Sequence, residues 1–233
     1  MRRSIAASVF VVILGMMPIA NASSGGHSIV GGSAGPSAPT RTRSPLGSKY
    51  TFDTSQGQFT QGVDNQGWYQ IDPKSGGNRN DNYIVGTCCG GPGEYRDFFT
   101  FDLASLDERA VSATLVLYDP SSKGALIESI RLSDVDTPAR RLNHNDAGDR
   151  TIFSDLGHGQ LYGEFGVFTD KHPQVRRFRL NERAVAAINQ ARGEYFSVGG
   201  RLLGLSAGGR GRHLFGFSSD HGPQRLIVRT SGG

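Results

Sequence analysis

Two adjacent cysteines, Cys88 and Cys89, are the only ones in the chain. Neighbouring α-carbons lie about 3.8 Å apart across a trans peptide, below the usual disulfide span. A bridge between them is a small strained ring that closes no loop of consequence, so it cannot be the staple of a small secreted domain. Three states are open to the pair: a vicinal disulfide, two free thiols, or a cross-link to another chain. Gly86, Gly90 and Gly91 let the backbone take a tight turn there. An oxidising compartment favours the bridge, and the vicinal disulfide is the state we expect. Zinc is disfavoured, because adjacent thiolates lack the usual ligand spacing.

The other reactive groups are weaker. Gly204-Leu205-Ser206-Ala207-Gly208 has the letters of a hydrolase elbow, but a glycine turn follows it where that motif needs a helix. His144, His158, His172, His213 and His221 form no local signature with the cysteines. No catalytic residue is therefore assigned. Asp134 with Asp136, and Asp146 with Asp149, stand beside turns, where Asp more often bonds local backbone than works across a cleft. Asn78, Asn80, Asp81 and Asn82, and again Asn143, His144, Asn145, Asp146 and Asp149, make oxygen-rich loops. Calcium takes about six to eight oxygens. Neither loop is an EF-hand: counting from Asn78, Tyr83 falls where the glycine belongs and Cys89 where the bidentate acid belongs. We expect no cofactor, and a structural calcium has only this oxygen content behind it.

Aromatic residues are the best candidates for touching a ligand. Gln66-Gly67-Trp68-Tyr69-Gln70 holds the single tryptophan beside a tyrosine. Adjacent strand residues face opposite sides, so one ring can be core and the other exposed. An exposed ring stacks on a sugar face, and nearby side chains bond its hydroxyls. The candidate set is Trp68, Tyr69, Asn82 and Tyr83. The competing reading puts Trp68 in the core, since burying so large a ring is worth several methylenes of transfer free energy.

These residues sit on strands. Val111, Ala113, Leu115 and Leu117 alternate with Ser112, Thr114, Val116 and Tyr118, so one face is committed to a core. Phe99, Phe101 and Leu103 share a face in the same way. Further strands are expected at 49–53, 66–71, 82–86, 126–132, 160–168, 174–180, 194–199, 212–218 and 224–230, separated by Gly, Pro, Asn and Asp. One short helix is expected at about 181–192, capped by Asn181 and closed by Gly193. Many short strands at this spacing predict an all-β fold, a jelly-roll-like antiparallel β-sandwich.

Residues 1–22 read as a secretory signal peptide: Arg2 and Arg3, an apolar run from Ile5 to Ala20, then Ala20-Asn21-Ala22. The run is too short and interrupted for a convincing membrane span. Residues 23–48 are Gly, Ser and Pro-rich and read as a disordered linker, leaving 49–233 as one domain. The formal charge of +4 comes from Arg2, Arg3, Arg41 and Arg43. The 25 basic residues less these four leave 21, matching the 21 acidic ones. A balanced domain argues against nucleic acid as partner. Arg176, Arg177 and Arg179 are a local exception, read as arginines alternating on an exposed strand face.

The stretch "NYIVGTCCGGPGEYRDFFTFDLASLDERAVSATLVLYDP" resembles bacterial exported β-sandwich modules carrying an R-x-F-x-x-F-D-L-S … V-x-S-A-T-L-x-L pattern. "LSDVDTPARRL", "IFSDLGHGQLYG", "AAINQARGEYFSVGG" and "LFGFSSDHGPQRLIV" extend the resemblance over most of 66–230. Ala104 stands where the pattern often has serine. The resemblance implies a jelly-roll, carbohydrate-binding-module-like domain with no catalytic residue to carry over. Our expectation is a secreted or extracytoplasmic, non-catalytic binding module with glycan as the leading ligand class. A structural or adhesive surface protein is the alternative, and a polysaccharide hydrolase or lyase the second alternative.

Overall fold

The computed structural model of the chain describes residues 38–44, 47–70, 82–88, 93–144, 148–205, 211–216 and 222–231. Twelve strands and three helices lie among them. The strands are β1 (Thr40–Ser44), β2 (Gly47–Asp53), β3 (Gln66–Gln70), β4 (Val85–Thr87), β5 (Glu94–Asp102), β6 (Ala110–Asp119) and β7 (Ile127–Ser133). After helices α1 (Ala139–Leu142) and α2 (Arg150–His158) come β8 (Leu161–Phe168) and β9 (Gln174–Arg179). Helix α3 (Glu182–Gln190) precedes β10 (Tyr195–Leu202), β11 (His213–Leu214) and β12 (Arg225–Thr230).

Eight strands carry the topology. Taken in chain order as β2, β5, β6, β7, β8, β9, β10 and β12, one sheet has the order first-eighth-third-sixth and the other second-seventh-fourth-fifth. All the pairings are antiparallel. That is two interlocked Greek keys, a jelly-roll sandwich. β1 extends the first sheet beyond β2, while β3, β4 and β11 extend the second around β5.

The inner faces meet in one apolar core. Phe99, Phe101, Leu103, Ala113, Leu115 and Leu117 lie in it, as alternation requires. Val111 does not: it is 55% exposed, and Ala110 is buried in its place. The register explains the exchange. Arg229 pairs with Ser112 but Thr230 pairs with Ala110, so Val111 is the extra residue of a β-bulge and faces outward.

The second sheet is also covered on part of its outer face. On its outer side Ile152, Phe153 and Leu156 of α2 pack with Tyr69, Phe98 and Leu142. Arg96 of β5 donates to the Phe153 carbonyl at 2.8 Å and lies over that ring. Gly157 lets the two approach closely, since a Cβ there would meet the Arg96 guanidinium at 2.4 Å and displace it. Helix α3 lies where the sequence places a helix: Asn181 accepts from the N–H groups of Arg183 and Ala184, and Gly193 takes φ +83° beyond its end. Helices α1 and α2 are additional to the single helix expected. Asp149, read as a turn residue, caps α2 by accepting from Thr151 and Ile152.

The first strand falls inside 23–48, the stretch whose composition reads as a disordered linker. β1 forms a full ladder with β2. Arg41 pairs with Asp107 and Glu108 and lies over the Tyr50 ring. A strand with so little to bury is ordered by its ladder and its charges, which an argument from apolar burial overlooks. A chain starting at Ser48 should therefore melt below one starting at Ala38, and Arg41→Ala in the longer chain should reproduce part of the drop. Equal melting of all three in a calorimeter would show that β1 contributes nothing.

Candidate functional site

The sequence-chosen aromatics go to three different places. Tyr69 is fully buried beneath α2 and its hydroxyl donates to the Leu142 carbonyl at 2.7 Å. Tyr83 is fully buried in the sandwich core against Phe99 and Phe215. Trp68 is half-buried, packed with Ile84, Cys88 and Tyr95, and its indole N–H donates to Asn82 Oδ1 at 3.1 Å. So Trp68 and Asn82 are brought together, with Cys88 beside them, while Tyr69 and Tyr83 are elsewhere. Cys88 is buried and disulfide-bonded. Cys89 lies outside the described residues, as do Ser206, Asn78, Asn80, Asp81, Asn145 and Asp146.

Asp134, Asp149 and Asp155 make structural hydrogen bonds. Asp134 accepts from the Tyr162 hydroxyl, and the Asp155 side chain accepts from Asp136 and Thr137. The Asp149 carboxyl binds Arg141, which holds it below the usual carboxylate range. Among the described residues no group of three His, Cys, Asp or Glu could hold a metal ion.

The surface that could receive a ligand is the outer face of the first sheet, which no described helix covers. Its residues alternate with the core: Lys49 and Thr51 on β2, Ser112, Thr114, Val116 and Tyr118 on β6. A depression of about 380 Å³ opens here. Val116 and Tyr118 lie at its base, with Asp53, Val175, Gln224 and Arg225 around them. Val116 is only 2% exposed despite facing outward. Its cross-strand neighbours are Arg225 and Arg177, a residue type whose methylene stem can cover apolar surface.

Buried groups hold Tyr118 in place. The Tyr83 hydroxyl donates to the Tyr118 carbonyl at 2.6 Å, and the Tyr118 N–H donates to Gln224 Oε1 at 2.7 Å. Tyr83 thus supports the face from behind rather than contacting its surface. The signal for Tyr118 was in the sequence, since it alternates away from Leu115 and Leu117. Arg225 on β12 carried no such signal, because only the register brings it beside Val116.

No protein-family model matches this chain, and no curated protein matches it at a significant level.

Proposed function

We propose that this protein is an exported, non-catalytic glycan-binding module, and that the open face of the first sheet is its binding surface. The depression floored by Val116 and Tyr118 carries the reading. A sugar ring laid in it places its apolar face on the half-buried Tyr118 ring and the exposed Val175 side chain. Arg225 donates to its hydroxyls. Such a mixture of apolar floor and a few polar groups is what orients small ligands. The Greek-key frame supports it by keeping the strands in fixed register. Export rests on the leader pattern of residues 1–22, and membership of the exported sandwich modules rests on the motif resemblance. Among the described residues no helix is long and apolar enough to cross a membrane.

A glycan array probed with the full chain tests this. Binding should be retained and should weaken on the order of tenfold in Tyr118→Ala, a loss of about 1.4 kcal/mol. The variant should melt close to the parent, because the ring faces outward. Binding indifferent to Tyr118→Ala would remove the site from consideration.

One observation favours the structural or adhesive reading instead. Ile127 and Phe168 lie opposite each other on β7 and β8, 50% and 47% exposed, with Leu126 at 63% beside them. An apolar cluster at a sheet edge suits contact with another protein surface.

A further inference from the structure

Positive charge is concentrated on the open face. Lys49, Arg177, Arg179, Arg225 and Arg229 are all exposed, and each alternates with a buried neighbour. The register arranges them in rows. Lys49 lies opposite Arg229. Arg225 and Arg177 both lie opposite Val116, and Arg179 lies opposite Thr114, which also pairs with Ile227. Strands are spaced about 4.8 Å apart, so Arg225 and Arg177 stand roughly 10 Å apart across β6. Asp53 is the one carboxylate in these rows; it lies opposite Arg225, but its oxygens are bonded by Ser55 and Gln56 of its own turn. Among the described residues none of the five cations pairs with a carboxylate.

The arrangement works against the fold. Like charges directly opposite on one face are destabilising, and Lys49 with Arg229 is such a pair. A general excess of base does not account for it, because acid and base nearly balance beyond the leader. The signs are segregated where solubility alone would intersperse them. A local rule broken without a gain inside the molecule marks a surface shaped for something outside it.

We propose that this face binds an acidic polysaccharide, a chain bearing uronate or sulfate groups. The proposal rests on the glycan-binding reading and names the class of glycan. The polymer lies across β12, β6 and β9 with a ring over Tyr118. Its acid groups meet Arg225, Arg177 and Arg179. Four of the five cations are arginine, whose planar fork matches carboxylate and sulfate with two parallel hydrogen bonds. Among the described residues the face offers one aromatic ring, Tyr118, and not the stacking platform of a single-strand nucleic-acid binder. It is a flat sheet and not the amphipathic helix that lies in a lipid interface.

The test uses the full chain. Polygalacturonate and chondroitin sulfate are the acidic probes, mannan and cellulose the neutral ones, and single-stranded DNA and phosphatidylserine vesicles the competing polyanions. Both acidic glycans should bind at low salt, with affinity falling steeply as salt rises. Arg177→Gln, Arg179→Gln and Arg225→Gln combined should weaken that binding on the order of tenfold or more and reduce the salt slope by about two. The same charge change on the helices and the turn after α3, Arg150→Gln with Arg183→Gln and Arg192→Gln, should leave affinity within about threefold of the parent. Unchanged melting of both triple variants shows that folding is not being read. Equal loss in the two triples overturns the proposal, as does binding of the DNA or the vesicles as tightly as the acidic glycans. Binding confined to mannan or cellulose overturns it while leaving the glycan reading intact. Retention of neither kind of glycan removes both.

Discussion

Arg176→Ala should lower stability by about 3–5 kcal/mol, the cost of leaving a buried charge without its partner. Asp119 is fully buried at the end of β6 and accepts from Arg176 Nε at 2.9 Å and Nη2 at 2.7 Å. Ser122 supplies a third bond at 2.7 Å. The same guanidinium also donates to the carbonyls of Phe168 and Lys171, tying the β8–β9 turn to the sandwich. Net stabilities of domains are on the order of 5–15 kcal/mol, so the loss is a large fraction of the whole. It should appear as a fall in the urea midpoint and a melting temperature lower by roughly 10 °C. Arg176→Met with Asp119→Leu removes both charges and should recover most of the loss, because an apolar pair of similar volume replaces a buried ion pair at little net cost. A single variant as stable as the parent would mean that Asp119 is solvated and the ion pair idle.

Arg176 also shows where the sequence stopped being informative. Alternation placed Arg176, Arg177 and Arg179 on a strand, and they are on one. Yet Arg177 and Arg179 point to the open face, while Arg176 shares the inward side with Phe178 and ends in the ion pair. Period two separates the faces but does not say which belongs to the core when both carry arginine. The same limit governs Trp68 and Tyr69. Their opposite directions were legible, but the cover that α2 gives Tyr69 was not. Nine residues with Gly157 near the end give a weak helical pattern, and the contact of Arg96 with that glycine appears only in three dimensions. Strands such as β6 and β5 were legible because one face is purely apolar over several residues. The cation array was not, because its members come from β2, β9 and β12 and only the jelly-roll order brings those strands together.

Asp97→Asn should flatten a pH dependence of folding that the parent shows between about pH 4 and 8. Asp97 lies on β5 opposite Gly200 of β10 and Trp68 of β3, fully buried, and neither carboxyl oxygen has a hydrogen-bond partner. Gly200 leaves it room, since a Cβ there would meet Oδ1 at 2.0 Å. Burial pushes the carboxyl up to about 8, opposed only by its own backbone N–H, which does not reach hydrogen-bond geometry. At neutral pH the folded protein holds the proton and the unfolded chain has released it. Unfolding thus releases a proton, and stability falls as pH rises, by up to about 1.4 kcal/mol per unit. The penalty is absent below the unfolded carboxyl's value and complete above about 8. Tyr83 adds nothing here, because burial holds its hydroxyl well above its usual value. His213 is pushed down by burial, so its contribution runs the other way up to its unfolded value. It is common to both proteins and cancels in their difference. Urea melts of parent and variant at unit pH steps should diverge steadily, the variant gaining relative stability as pH rises. Parallel curves would mean that the Asp97 carboxyl finds a partner or water in the folded protein and titrates as an ordinary acid.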